Sequence, residues 1–438
     1  MGAGWSQQYP AGWTPTLYPR MHLLPNGTVF NSGMQPNSYI FNPSTQTWTS
    51  SATTNYGSTR VYGSSVLLRL TPANNYDPRV MILGGGAFQG TATNTTEIID
   101  LLASSPQWQY SAPMLQARIE MNAVLLPTGK VLALGGSSTD EDATTASLNA
   151  DLFDSVAGTM RSAGANAYPR LYHSNALLLP NATVAVFGGN PERGTYEPHI
   201  EIYSPAYLFT TNGSRNTIPA TRPTITSVNP GVIGYGSSFQ VTTPDAANIA
   251  SVVLVRPGSP THAFDTDQRL VGLSFTQGSG VLTVTGPPNG NIAPAGYYLL
   301  FLLNTAGVPS VAAFVQVSLA QTDQPPTGTI TSLTSDLTIE ASQSVSFSGT
   351  GSDPDGTISA YSWVFPGGSP ASSSLQNPGS VTFSTPGTYI ASLTVTDNAG
   401  LNDPSAPIRT ITAVPATGAE LSRTCRATTG RRIRLGRR

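Results

Sequence analysis

The apolar residues of this chain fall in short runs separated by glycine, proline, asparagine and serine, and four groups of runs repeat one design. Each group reads apolar run, polar turn, second apolar run, then glycine: MHLLPNGTVFNSG at 21–33, YGSSVLLRL…RVMILGGG at 62–86, MNAVLLPTGKVLALGG at 121–136 and SNALLLPNATVAVFGG at 174–189. Apolar runs of this length suit buried strands, and PNG, PTG and PNA supply the hairpin turns between them. After each glycine a variable stretch leads to a further strand, such as YIFNPSTQTW at 39–48 or IEIYSPAYLF at 200–209.

The repeat glycines at 33, 84, 135 and 188 are 51, 51 and 53 residues apart. A period near 50 with four strands per unit predicts kelch-type β-propeller blades. Propellers close with about 4–8 blades, so four repeats of this type lead one to expect further blades upstream. Beyond Phe209 the period stops. Alternating segments from TRPTITSVNPGVIGYGSSFQVTT (221–243) to VAAFVQVSLA (311–320) predict an immunoglobulin-like sandwich. The linker QTDQPPTG (321–328) leads into a third strand-rich unit. The expected fold is therefore all-β: a partial kelch β-propeller (1–209, four repeats) followed by two Ig-like sandwiches (221–320 and 329–414) and a basic, disordered tail (415–438).

Composition sharpens the class. Charged residues make up 10% of the 438, with 43 Gly and 36 Pro, against a usual charged share of about 25%. The formal charge of −2 hides an asymmetry: seven arginines follow Leu421, leaving 14 basic against 23 acidic groups before it. Lys130 is the only lysine. An acidic body of this kind has no footprint for nucleic acid, which binds through neutralised phosphates. The longest apolar stretch, YYLLFLL at 297–303, is far short of the roughly 20 residues that span a bilayer. The one cysteine, Cys425, lies in the basic tail, so no intrachain disulfide forms. Low charge and the sequons at Asn26, Asn94, Asn181 and Asn212 suit an extracellular or cell-surface protein, although MGAGWSQQYP is no signal peptide and the natural N-terminus is expected to lie upstream.

Imidazole chemistry is bounded by four histidines, at 22, 173, 199 and 262. His173 follows Tyr172 in YPRLYHSNALLLP, at the start of a blade strand, where both side chains can reach one site. His262 lies in RPGSPTHAFDTDQRL (256–270), a turn-rich loop. Two imidazoles with a phenolate oxygen suit Cu(II) better than Zn, Ca or Mg. His22 and His199 read as surface or turn residues, and Tyr62, in RVYGSS, as an ordinary strand residue.

The stretches RLYHSNALLLPNATVAVFGGNP (170–191), IEIYSPAYLF (200–209), RPTI (222–225), THAFDTDQR (261–269) and GYYLLFLLNTAGVPSVA (296–312) resemble the C-terminal part of the galactose and glyoxal oxidases, the copper radical oxidases. The resemblance implies a copper site with Tyr172 as axial tyrosine and catalytic base and with His173 and His262 as the imidazole ligands. It also implies oxidation of a primary alcohol, sugar or aldehyde by O₂ to give H₂O₂. Such a reaction removes two electrons, one more than copper accepts, and the family supplies the second acceptor as a Cys-Tyr radical cofactor. That cofactor is absent from this chain, whose lone Cys425 is in the wrong place, so the chain is expected to be inactive as it stands and its standing as an enzyme stays open. The third unit, with GSDPDGTISAYSWVFPGG (351–368) and STPGTYIASLTVTDNAG (384–400), resembles a PKD domain, which implies polysaccharide or cell-surface contact; Asp353 and Asp355 suit calcium or a plain polar turn. The competing expectation is a non-catalytic surface protein that binds glycans.

Overall fold

The computed structural model describes residues 12–318, 324–354, 356–398 and 400–416. The chain is all-β and divides into two compact units, residues 1–320 and 321–438. Residues 417–438 of the expected tail, with Cys425 among them, and Asp355 lie outside the described residues.

Each of the first three repeats forms a four-stranded antiparallel sheet whose strand order follows the sequence. The first comprises Met21–Leu23, Val29–Asn31, Asn37–Asn42 and Thr47–Thr53; the second Ser64–Leu67, Arg79–Leu83, Thr96–Asp100 and Trp108–Tyr110; the third Ile119–Leu125, Val131–Ser137, Asn149–Asp154 and Thr159–Ala165. The fourth has three described strands, Asn175–Leu178, Val184–Phe187 and Ile200–Tyr203. The first two strands of a repeat are the more deeply buried, most completely in the second and third sheets. In the third sheet every residue of Ile119–Leu125 and Val131–Ser137 is buried.

A buried arginine organises each repeat. Arg20, Arg60, Arg118 and Arg170 are at most 2% exposed. Each donates to the carbonyl of its own repeat glycine, Gly33, Gly84, Gly135 and Gly188, at 3.4, 2.9, 2.8 and 3.2 Å. In three repeats the guanidinium also pairs with an acid on the third strand: Arg60–Glu97 at 2.8 Å, Arg118–Asp151 at 3.0 Å and Arg170–Glu201 at 2.7 Å. Among the described residues Arg20 has no such acid, and burial together with the Arg60 charge lowers its pKa to about 9. Backbone hydrogen bonds then couple neighbours: Gly85 N donates to Arg118 O (2.7 Å) and Gly136 N to Arg170 O (2.6 Å). Gly135 is left-handed (φ +67°), and a Cβ there would lie 2.6 Å from Arg170 O, so only glycine allows this approach.

The sandwich that follows pairs a four-stranded sheet (Ser227–Asn229, Ser238–Thr242, Val281–Thr285, Phe275–Gln277) with a five-stranded one (Val232–Gly234, Ala313–Ser318, Gly296–Asn304, Ile249–Arg256, Arg269–Leu273). The motifs beside it are docking devices. Arg222 of RPTI donates to Pro309 O (2.8 Å) and Ser310 O (2.5 Å) of NTAGVPSVA and to Asn181 O (2.9 Å) at the turn of the fourth repeat. The second unit buries Trp363, Phe347, Phe365 and Phe383 between short sheets. Asp353 lies there among the described residues.

Candidate metal centre

Four non-glycine residues in the repeats take left-handed backbone angles at the approach to the innermost strand: Tyr18 (φ +55°), Tyr62 (+46°), Glu120 (+63°) and His173 (+64°). Tyr18, Glu120 and His173 each stand 15 residues before their repeat glycine. Tyr62 stands 22 before Gly84 because the hairpin after Leu67 is longer. One position of the repeat is thus strained four times over, at a cost of about 1–3 kcal/mol each, and strain of this kind clusters at functional sites. Left-handed φ takes the side chain out of the strand's in-and-out alternation.

His262 is delivered by the sandwich. Pro260–Thr261 pairs with Phe264–Asp265, and the two-residue loop, His262 and Ala263, is left-handed at both positions (φ +50° and +69°), the geometry of a type I′ hairpin. The rest of THAFDTDQR holds that hairpin in place. Asp265 Oδ1 accepts from Ser259 N, Asp267 N and Gln268 N at 2.9–3.0 Å. The Gln268 amide accepts from Leu125 N and donates to Ala123 O, both at 2.9 Å, tying the hairpin to the third repeat's inner strand. Arg269 donates to Asn291 O (2.6 Å), Ile292 O (2.9 Å) and Leu23 O in the first repeat.

These elements bring the three sequence-expected residues together. His173 Nε2 and His262 Nε2 are 3.0 Å apart. The Tyr172 ring stacks on His173 at 3.9 Å and meets His262 edge-on at 5.4 Å. Thr261 Oγ1 holds His262 Nδ1 at 2.7 Å, which leaves Nε2 facing His173. Two cis nitrogens at about 2.0 Å from one metal, at right angles, sit about 2.8 Å apart, so the observed spacing fits one ion. Burial, then the neighbouring His173, lowers the His262 pKa and favours the neutral imidazole a metal needs. Among the described residues no set of three or more His, Cys, Asp and Glu could hold a metal, and the phenol beside this histidine pair is that of Tyr172.

Sequence reasoning missed two neighbours of the site and misplaced a histidine. Tyr62 is no ordinary strand residue: its ring lies 5.0 Å from that of Tyr172, with the planes tilted by 56°. Burial, followed by the Tyr172 contact and the charges of Asp140 and Glu120, pushes the Tyr62 phenol far up. Tyr18 stacks face to face on His262, centroids 3.6 Å apart and planes within 10°. His22 is buried, not on the surface; its Nε2 meets Ser65 Oγ at 2.7 Å, and burial plus the Arg269 and Arg20 charges lower its pKa to about 3. His199 is half-exposed, beside Glu197 and stacked on Tyr168, away from the pair. Tyr18→Ala should weaken Cu(II) binding about 10-fold by freeing the His262 ring, and Tyr18→Phe should keep it; calorimetric titration with copper checks both.

Repeated antiparallel sheets, with a histidine hairpin from the following sandwich brought against the fourth of them, define an all-β protein of repeats and sandwiches, and the comparisons narrow the class. The glyoxal oxidase N-terminus family matches residues 8–207, the galactose oxidase-like early set domain 222–317 and the PKD domain 325–411. Aldehyde oxidase GLOX of Vitis pseudoreticulata is 31% identical over 338 residues, 69% of this chain and 62% of that protein. Galactose oxidase of Gibberella zeae is 32% identical over 251 residues, 55% of this chain and 36% of that protein. A solved fungal alcohol oxidase of the AA5 family, in complex with copper, superposes with a TM-score of 0.62 at 28% identity, covering 69% of this chain and 63% of that one. The chain is galactose oxidase/glyoxal oxidase-like, with a PKD domain after the oxidase-like part. It spans less than two-thirds of the length of these curated relatives.

Proposed function

We propose that residues 1–209 and 221–320 form the metal-binding portion of a copper radical oxidase acting on a primary alcohol, sugar or aldehyde with O₂, and that 329–414 is an appended PKD module. The observation that carries this reading is the 3.0 Å approach of His173 Nε2 and His262 Nε2 beside Tyr172. Tyr172, His173 and His262 would hold the copper, which supplies a one-electron acceptor and a Lewis acid next to the substrate oxygen. The chain's own residues do the rest. Tyr172 is the base that takes the substrate hydroxyl proton. Tyr62 packs its ring against Tyr172 and so positions it, while Tyr18 and Thr261 fix the His262 ring.

Two-electron oxidation needs a further acceptor, which the family provides as a Cys-Tyr cofactor. The single cysteine here is Cys425, in the tail. This chain alone should therefore bind copper yet make no peroxide from galactose, methylglyoxal or glycerol in a coupled peroxidase assay. Copper-dependent peroxide would show that a complete redox centre is present. The reading places the protein outside the cell or at its surface, with the PKD module contacting polysaccharide; no described helix is long and apolar enough to cross a membrane.

A further inference from the structure

The position that carries the ligand imidazole in the fourth repeat, His173, is occupied in the third by Glu120. Glu120 is 3% exposed. Asp140 stands beside it, since the backbone N–H of the very next residue, Glu141, is bonded to the Glu120 carboxyl. Glu120 Oε2 accepts from Glu141 N (3.3 Å) and Asp140 Oδ2 from Gln89 N (2.7 Å). The remaining oxygens, Glu120 Oε1 and Asp140 Oδ1, are buried and receive no donor from the described residues. Two carboxylates cannot face one another in a buried setting with both ionised; one proton between them removes the repulsion and satisfies both orphaned acceptors.

We propose that Glu120 and Asp140 share one proton, forming a carboxyl–carboxylate pair that sets the charge of the face carrying Tyr172, His173 and His262. The groups around the pair agree with a retained proton. Glu141 adds a third negative charge and is itself drawn to Arg193 (2.7 Å), which leaves the pair without a cation of its own. Glu120 N donates to Tyr62 O (2.8 Å), and Tyr62 experiences the charges of both Glu120 and Asp140, so the pair is linked to the phenol that touches Tyr172. Burial first, and then Asp140, raises the Glu120 pKa to about 8. As ligand-side neighbours the two acids act through Tyr62, as positioning residues.

The test uses the intact chain without metal. Between the ordinary carboxyl range and about pH 8 the folded chain holds a proton that the unfolded chain has lost, so denaturant stability falls as pH rises across that window and levels off above it. Glu120→Gln keeps a donor toward Asp140 with no titrating proton, and should flatten this slope and exceed the wild type in stability above about pH 8. Asp140→Asn, the second variant, should flatten it as well. Equal slopes in all three chains would overturn the proposal. So would stabilisation of the wild type by calcium or magnesium that both variants lose, because a cation and not a proton would then lie between the oxygens. In a companion titration with copper alone, the wild-type to Glu120→Gln affinity ratio should rise severalfold as pH passes about 8, and a flat ratio would overturn the link to the site. Absence of copper binding in the wild type counts against the oxidase reading and leaves the stability result to decide the shared proton.

Discussion

Arg118→Ala should destabilise the larger unit by about 3–5 kcal/mol, the largest stability loss expected from one substitution outside the hydrophobic core. The guanidinium and its partner Asp151 are both wholly buried, 3.0 Å apart. Arg118 also donates to Gly135 O (2.8 Å), Ser147 O (3.1 Å) and Asn149 O. Truncation leaves one buried carboxylate without its counter-ion and three carbonyls without donors, each of which costs desolvation that water in the unfolded chain would offset. Replacing both charges, Arg118→Met with Asp151→Leu, should recover only part of the loss, because the apolar pair satisfies the charge and not the carbonyls. Urea unfolding of the two single variants and the double variant measures the coupling. A loss below about 1 kcal/mol would mean that the repeat arginines are not the organisers argued above.

The second large effect concerns the metal. His173→Ala and His262→Ala should each lower Cu(II) affinity by on the order of 100-fold or more, since loss of a mere supporting partner costs about 10–100-fold and these are the donors themselves. Stability should hardly change at His173, which is exposed enough to lose its ring without opening a core cavity. His262→Ala should behave alike, because the hairpin is held by Asp265, Gln268 and Arg269 and not by the imidazole. Equilibrium dialysis against a copper-buffering chelator separates the affinity effect from any loss of fold.

Much of this arrangement was legible from the repeats. The glycine spacing located the four sheets, and the family resemblance carried by RLYHSNALLLPNATVAVFGGNP and THAFDTDQR picked out the two histidines that the structure brings to 3.0 Å. Tyr62 and Tyr18 were not legible. The seven extra residues in the second hairpin put Tyr62 22 positions before its glycine instead of 15, which hid its equivalence to His173. Tyr18 sits before a strand whose repeat is otherwise ordinary, and only the stacking on His262 reveals it. The arginines were passed over for a different reason. A lone Arg at the start of an apolar run looks like a surface charge, and its burial depends on carbonyls and acids 13–40 residues away that no local pattern shows. Glu120 combined both difficulties, a strained position and a partner on a distant loop.

The most direct measurement is electron paramagnetic resonance of the intact chain titrated with Cu(II). The proposed copper site predicts one copper per chain with a tetragonal spectrum carrying superhyperfine coupling from two nitrogens, simplified to one in either His173→Ala or His262→Ala. Failure to bind one equivalent, or a two-nitrogen spectrum that survives both substitutions, would contradict the assignment of this face as a copper centre.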